Sequence, residues 1–255
     1  MATEDRTDAG LPYEPRGRSP IVDSTERRVS GLKRRVVREG STAVAMLEGA
    51  LAALKSLDVE AAKQVRRTDD QVDIEEVAIE QEAYEVLALH HPYGRDFRTV
   101  AFCLRVNADM ERVADHASSI AKVVTRLAEL PGTRPLRLPT ALVELSDRVP
   151  QICHALLRAV LDEDIEAAQR IVSSDQVIDQ LDRRLFEEVQ ELVKSLGRTD
   201  DAITIGLLVY RASRELERVG DLMAAVAEDV VYLGTGQIIR HAKRRGLTRP
   251  DAPKA

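Results

Sequence analysis

The sequence predicts an all-α protein of two tandem three-helix bundles: six helices made by internal duplication. Three observations carry that prediction. The first is composition: of 255 residues, 31% are charged, only 3% are aromatic, and there is no Trp. Ala, Leu, Val, Glu and Arg dominate; Ala and the straight-chain residues lose little on becoming helical. The second is periodicity, since no β-branched or aromatic run alternates with period two, and no sheet is expected. The third is a repeat. Shifted by 106 residues, "DVEAAKQV" (58–65) lies over "DIEAAQRI" (164–171), Arg105 over Arg211, and "ERVAD" over "ERVGD". The register needs no gap from about 44 to 125, which makes this a duplication and not a chance match.

The first half reads as helices over 24–57, 59–89 and 95–128. Asp58 and its counterpart Asp164 suit N-caps, each followed two residues on by Glu in the first turn. "HHPYGRD" (90–96) separates the second helix from the third, and "GRTDDA" (197–202) does so in the second half, with Gly197 ending the helix before it. "LPGTRPLRLP" (130–139) divides the halves, giving repeats at 24–130 and 139–235 around a linker at 131–138. Pro150 falls inside the fourth helix, where a kink is expected. Residues 1–23 read as a disordered tail and 236–255 as a basic one.

Several function classes are disfavoured. A net charge of −6 argues against a general nucleic-acid binder. No apolar run approaches the roughly 18 residues of a membrane span, and the N-terminus has no apolar segment of a signal peptide. Cys103 and Cys153 lie in apolar helical contexts and read as reduced core thiols of a cytoplasmic protein. The basic runs "RRVSGLKRR" (27–35) and "RHAKRR" (240–245) read as a solvated face and a solvated tail before they read as a docking surface.

The informative residues are acidic. Glu111 and Asp115 stand four apart in "MERVADH", and Glu217 and Asp221 repeat that spacing in "LERVGDL". Acids so spaced ordinarily mark a solvated helix face. At about 100° per residue, however, they continue a stripe of Phe97, Val100, Ala101, Leu104 and Ala108, while Arg98, Arg105, Arg112, Asp109 and His116 point elsewhere. On the second helix Ala62, Val65, Val72, Ile79, Ala83 and Leu87 share a face with Asp69, Asp73 and Glu76, and the repeat preserves the acids as Asp175, Asp179 and Asp182. Carboxylates on a packing face need compensation, either from arginines such as Arg112 and Arg218 or from a metal. An all-oxygen donor set suits hard cations, with magnesium, manganese or iron preferred to zinc. The Glu-x-x-His pattern of ferritin-type di-iron oxidases is not present.

Taken together, the D-x-x-x-D helix, Pro92 with Asp96 and Arg98, "ERVADH" followed by "SSIAK", and "LERVGDLMAAVAEDVVYLGTG" resemble the PhoU family of phosphate-uptake regulators over roughly 24–236. The resemblance implies two similar three-helix bundles, each holding a metal cluster, commonly of iron with magnesium or manganese also proposed. Carried over by position, the ligands are Asp69, Asp73, Glu111 and Asp115 in one bundle and Asp175, Asp179, Glu217 and Asp221 in the other. It further implies a non-enzymatic, cytoplasmic homodimer that meets the inner membrane only through its partners, the ATPase subunit of a phosphate transporter and a sensor histidine kinase. Leu222 replaces the family's His after the second Asp, and Ala202 and Thr204 replace its second D-x-R pair. Two other readings stand beside this one: a metal-free helical adaptor of another phosphate carrier, and a carboxylate-site metalloenzyme.

Overall fold

The structure is a computed structural model that describes residues 20–131, 133 and 136–239; the side chains of 20–23, 174–176 and 179 lie outside that description. Among the described residues there are six helices and no strand: α1 (Pro20–Ser56), α2 (Val59–His90), α3 (Arg95–Ala128), α4 (Thr140–Asp162), α5 (Ile165–Ser195) and α6 (Asp200–Thr235). The N-terminal tail expected over 1–23 needs one correction, because α1 starts at Pro20. Proline suits a first helical turn, where its fixed φ is already helical and its missing N–H costs nothing. Residues 1–19 and 240–255, with most of both expected tails and the basic run at 240–245, lie outside the described residues.

Local chemistry sets the helix ends. The Asp58 carboxylate accepts from the Glu60 and Ala61 amides at the start of α2, and Asp164 accepts from Ala167 at the start of α5. The α2–α3 corner uses two left-handed residues, His91 and Gly94, and Gly197 (φ 92°) plays the same part after α5. Pro150 lies within α4 without ending it. The segment between α3 and α4 is tied to the body: Thr133 is buried and donates to the Leu130 carbonyl at 2.9 Å, and Leu136 and Leu138 pack on the core.

Within each half the three helices pack on one another, but the halves are not independent. α3 lies against α6 and α1 against α4, and one continuous apolar core runs through all six helices. The contact between halves is self-complementary. Glu48 meets His154, its counterpart in the repeat register, at 2.9 Å. Contact between equivalent residues is the mark of an approximate two-fold relation, since translated copies would present different faces. Gly40 marks a close approach: a Cβ there would lie 2.8 Å from both Met110 of α3 and Leu157 of α4.

Ion pairs fasten the outer edges. The Arg35 guanidinium spans α1 and α2, reaching Glu75 and Glu82 at 2.7 Å each. Arg105 of α3 meets buried Asp229 of α6 at 2.8 Å. Glu163, at the α4–α5 corner, binds Lys33 of α1 at 2.8 Å and also Arg95 of α3. Burial pushes the Glu163 carboxyl up, but hydrogen bonds from Lys33 and Arg95 outweigh it and hold the group below its ordinary value of 4.5. An acid so depressed adds stability above its unfolded pKa and loses it as pH falls through the lower folded value. Glu163→Gln is therefore expected to cost roughly 1–2 kcal/mol at neutral pH. The difference from wild type should close as thermal melts are carried to pH values below the ordinary carboxylate range. A constant difference down to acid pH would remove the clamp from the account.

Candidate carboxylate site

The first acid set is assembled where α2 and α3 lie side by side. The charges of Asp73 and Asp115 act on both Asp69 and Glu111, so the four expected residues form one electrostatic group. Their burial is graded: Asp69 and Glu111 are half-buried, Asp73 and Asp115 exposed. The predicted α3 stripe needs correction here. Of its apolar members only Val100 is fully buried, and Phe97 is 51% exposed. The buried face runs instead through Cys103, Val106, Met110, Val113, Ala114 and Ala117. α3 is gripped by α1 and α6 as well as α2, which turns its core face away from the acids and leaves them at the edge of the seam.

The electrostatics follow from that position. Burial raises the Asp69 carboxyl and a hydrogen bond from Ser118 opposes it, while Asp115 and Asp73 add to the rise. Burial, then Asp115, Asp73 and Glu76, raise Glu111. Glu76 is raised by burial and by Glu80 and Asp73. A further acid, Glu39 of α1, stands beside Glu76 and Glu75. It is 3% exposed, and burial, with Glu76 and Glu75 next, pushes it up to about 8. Asp69 Oδ1, both Glu39 oxygens and Asn107 Oδ1 are buried without a hydrogen-bond partner. The donors are all oxygen and suit a hard cation by chemistry. Among the described residues, no three acid or histidine side chains converge on one ion-sized point, so a cation shared by this group would require the side chains to turn.

The second set is built differently. Asp175 and Asp179 lie on α5, but their side chains fall outside the described residues. On α6, Glu217 is half-buried and Asp221 exposed. Arg214 contacts Glu217 at 3.1 Å and Asp182 at 3.4 Å. Burial still raises Glu217, with Arg214 opposing and Asp221 and Asp182 adding. The arginines expected to neutralise the acids go elsewhere: Arg112 pairs with Asp109 at 3.4 Å and Arg218 with Glu215 at 3.7 Å. Each follows its acid by one residue and points about 100° away, whereas Arg214 precedes Glu217 by three, where helix neighbours meet.

Sequence reasoning missed Glu39, Asn107 and Arg214. Glu39 was findable: it interrupts the α1 stripe of Leu32, Val36, Ala43, Leu47 and Ala50, all buried. His116 joins the halves beside the first set, its Nδ1 2.8 Å from Glu215, and Leu222, its counterpart, packs against the core instead. Cys103 and Cys153 are free and buried, and burial pushes both thiols up to about 12. A separate apolar cleft of about 410 Å³ between α5 and α6, lined by Phe186, Val189, Val193, Ile203, Leu207 and Tyr210 among others, holds no acid.

Comparison with known proteins accounts for the internal repeat. A PhoU domain model matches residues 36–124 and again 142–230, two spans displaced by the repeat offset seen in the sequence. The "Phosphate-specific transport system accessory protein PhoU homolog" of Deinococcus radiodurans is 34% identical over 174 residues, covering 68% of this chain and 78% of that protein. The protein of the same description from Xylella fastidiosa is 30% identical over 217 residues, covering 85% and 88%. The crystal structure of the phosphate transport system regulatory protein PhoU from Streptococcus pneumoniae superposes with a TM-score of 0.73 at 27% identity, covering 84% of this chain and 98% of that one. Pseudomonas aeruginosa PhoU gives the same TM-score and identity, covering 83% and 99%. With the family domain matched in both halves, the chain belongs to the PhoU family of phosphate transport regulatory proteins.

Proposed function

We propose that this protein is a non-enzymatic regulator of phosphate uptake, a cytoplasmic homodimer linking the ATPase subunit of a phosphate transporter to a sensor histidine kinase. The observation that carries the reading is the doubled PhoU domain, together with relatives described as transport-system accessory proteins. No helix among the described residues is long and apolar enough to cross a membrane, so contact with a membrane-bound transporter would run through its partners. Deleting the gene should leave phosphate-starvation genes expressed, or phosphate uptake unrestrained, in phosphate-rich medium. Wild-type expression and uptake in the deletion strain would reject the assignment.

The acid clusters are proposed to hold hard cations: iron, manganese or magnesium. Asp69, Asp73, Glu111 and Asp115 would ligate in the first bundle, and Asp175, Asp179, Glu217 and Asp221 in the second. The cation would supply the positive charge that lets neighbouring carboxylates stay ionised together. The orphaned Asp69 and Glu217 oxygens support this. The pairing of Arg214 with Glu217 and Asp182 supports the metal-free adaptor for the second bundle. Elemental analysis of protein purified under reducing conditions, with melts in chelator and in Mn²⁺, separates the two. Binding only to the folded state raises stability by roughly 2.7 kcal/mol at a hundred times Kd. Metal-free protein with a Tm that Mn²⁺ does not move would leave the metal-free adaptor standing.

A further inference from the structure

We propose that the outward face of α2, from Ile74 to Ala88, is a docking surface for a cationic amphipathic helix of another protein. The residues at 74, 77, 81, 84 and 88 follow the alternating spacing of three and four that lines a coiled-coil seam. At about 100° per residue this stripe lies opposite Val72, Ile79 and Val86, which are buried in the core. Ile74 is 71% exposed, Val77 49% and Tyr84 54%, and Gln81 and Ala88 are exposed beside them. Leu89 and Tyr93, at the α2–α3 corner where the stripe ends, are exposed too. Among the described residues α2 packs on α1 and α3 alone, so no other helix of the chain covers this face.

The second repeat shows what the fold itself requires at these positions. In the repeat register Gln180, Arg183, Glu187, Gln190 and Lys194 stand where Ile74, Val77, Gln81, Tyr84 and Ala88 stand in the first, and all five are exposed. α5 therefore carries the polar face expected of a helix that meets water opposite its core. The apolar side chains of α2 are not needed to build the bundle. A contiguous exposed apolar stripe on a helix whose duplicate lacks it marks a surface that something else covers.

Charge identifies the occupant. Between 68 and 94 the chain has eight acids and no Lys or Arg. Glu75 and Glu82 are engaged by Arg35 of α1. Glu80 and Glu85 flank the stripe on its two sides, and exposed Asp70 stands at its N-terminal end. The Tyr84 hydroxyl donates to Glu80 at 2.8 Å, which joins the stripe to its acidic edge. A helix with apolar residues three and four apart and Lys or Arg beside them answers both features. Its apolar side chains cover Ile74, Val77 and Tyr84, and its cations meet Glu80 and Glu85. A second copy docked through the same face would set acid against acid, and an anionic membrane surface would be repelled.

The probe is a synthetic peptide of about three heptads, with Leu at the first and fourth positions of each heptad and Lys at the positions flanking them. Its counterpart carries Glu in place of Lys. Each is titrated with the purified full-length protein by fluorescence anisotropy, with thermal melts as the folding control. Wild type should bind the Lys peptide, more weakly as salt rises, and should not bind the Glu peptide. Ile74→Gln with Tyr84→Gln, which copies the second repeat, should weaken binding roughly tenfold or more at an unchanged Tm. Glu80→Gln with Glu85→Gln should weaken it as well and flatten the salt dependence. Wild type that ignores the Lys peptide, or binds both peptides alike, overturns the proposal, as does either double variant that binds like wild type. Sedimentation of wild type and I74Q/Y84Q should give the same mass for both. A dimer lost in that variant would assign the face to a second copy and overturn the proposal.

Discussion

Everything in this fold depends on the burial of α3 and α6 against each other. A three-helix repeat of this composition leaves an apolar face uncovered, and the second repeat covers it. Each of the two helices packs inside its own bundle and across the junction, so the apolar core has no break between the halves. The polar groups at the junction are paired: Arg105 with Asp229, and His116 with Glu215. Buried charge without a partner is costly, so these pairs define one way for the halves to dock as well as holding them.

That docking decides where the acids stand. Because three neighbours grip α3, its core face is wide and rotated, and the Glu111–Asp115 edge is left beside α2 instead of within the core. The result is a line of carboxylates with their inner members half-buried and their outer members wet. The arrangement raises the inner acids through burial and mutual repulsion, and it leaves oxygens without partners.

Duplication made two such seams, and they have since diverged. The departures are concentrated at compensation. One repeat leaves its acids facing a buried glutamate; the other supplies an arginine. The corner between α4 and α5 also does what its counterpart cannot, since Glu163 clasps Lys33 and Arg95, whereas Leu57 stands in the same register in the first repeat and is buried. A two-fold scaffold thus carries features that are not two-fold.

By itself the sequence determined the helices, their caps and the repeat, because each rests on short-range chemistry. Asp58 and Asp164 cap, Gly197 turns, and the offset aligns the acids without a gap. Its spacing of four also marked Asp69, Asp73, Glu111 and Asp115, which stand as one electrostatic group between α2 and α3. What it left open was the orientation of α3 and the identity of the compensating charges. A helical wheel gives the direction of a side chain about its own axis, not which neighbour occupies that direction. Phe97 reads as core by periodicity and lies exposed, while Glu39, an acid on the apolar stripe of α1, lies buried beside Glu76. Spacing of three puts Arg214 beside Glu217 and Arg218 beside Glu215 within α6, but only the packing of α5 against α6 brings Asp182 to the Arg214 guanidinium.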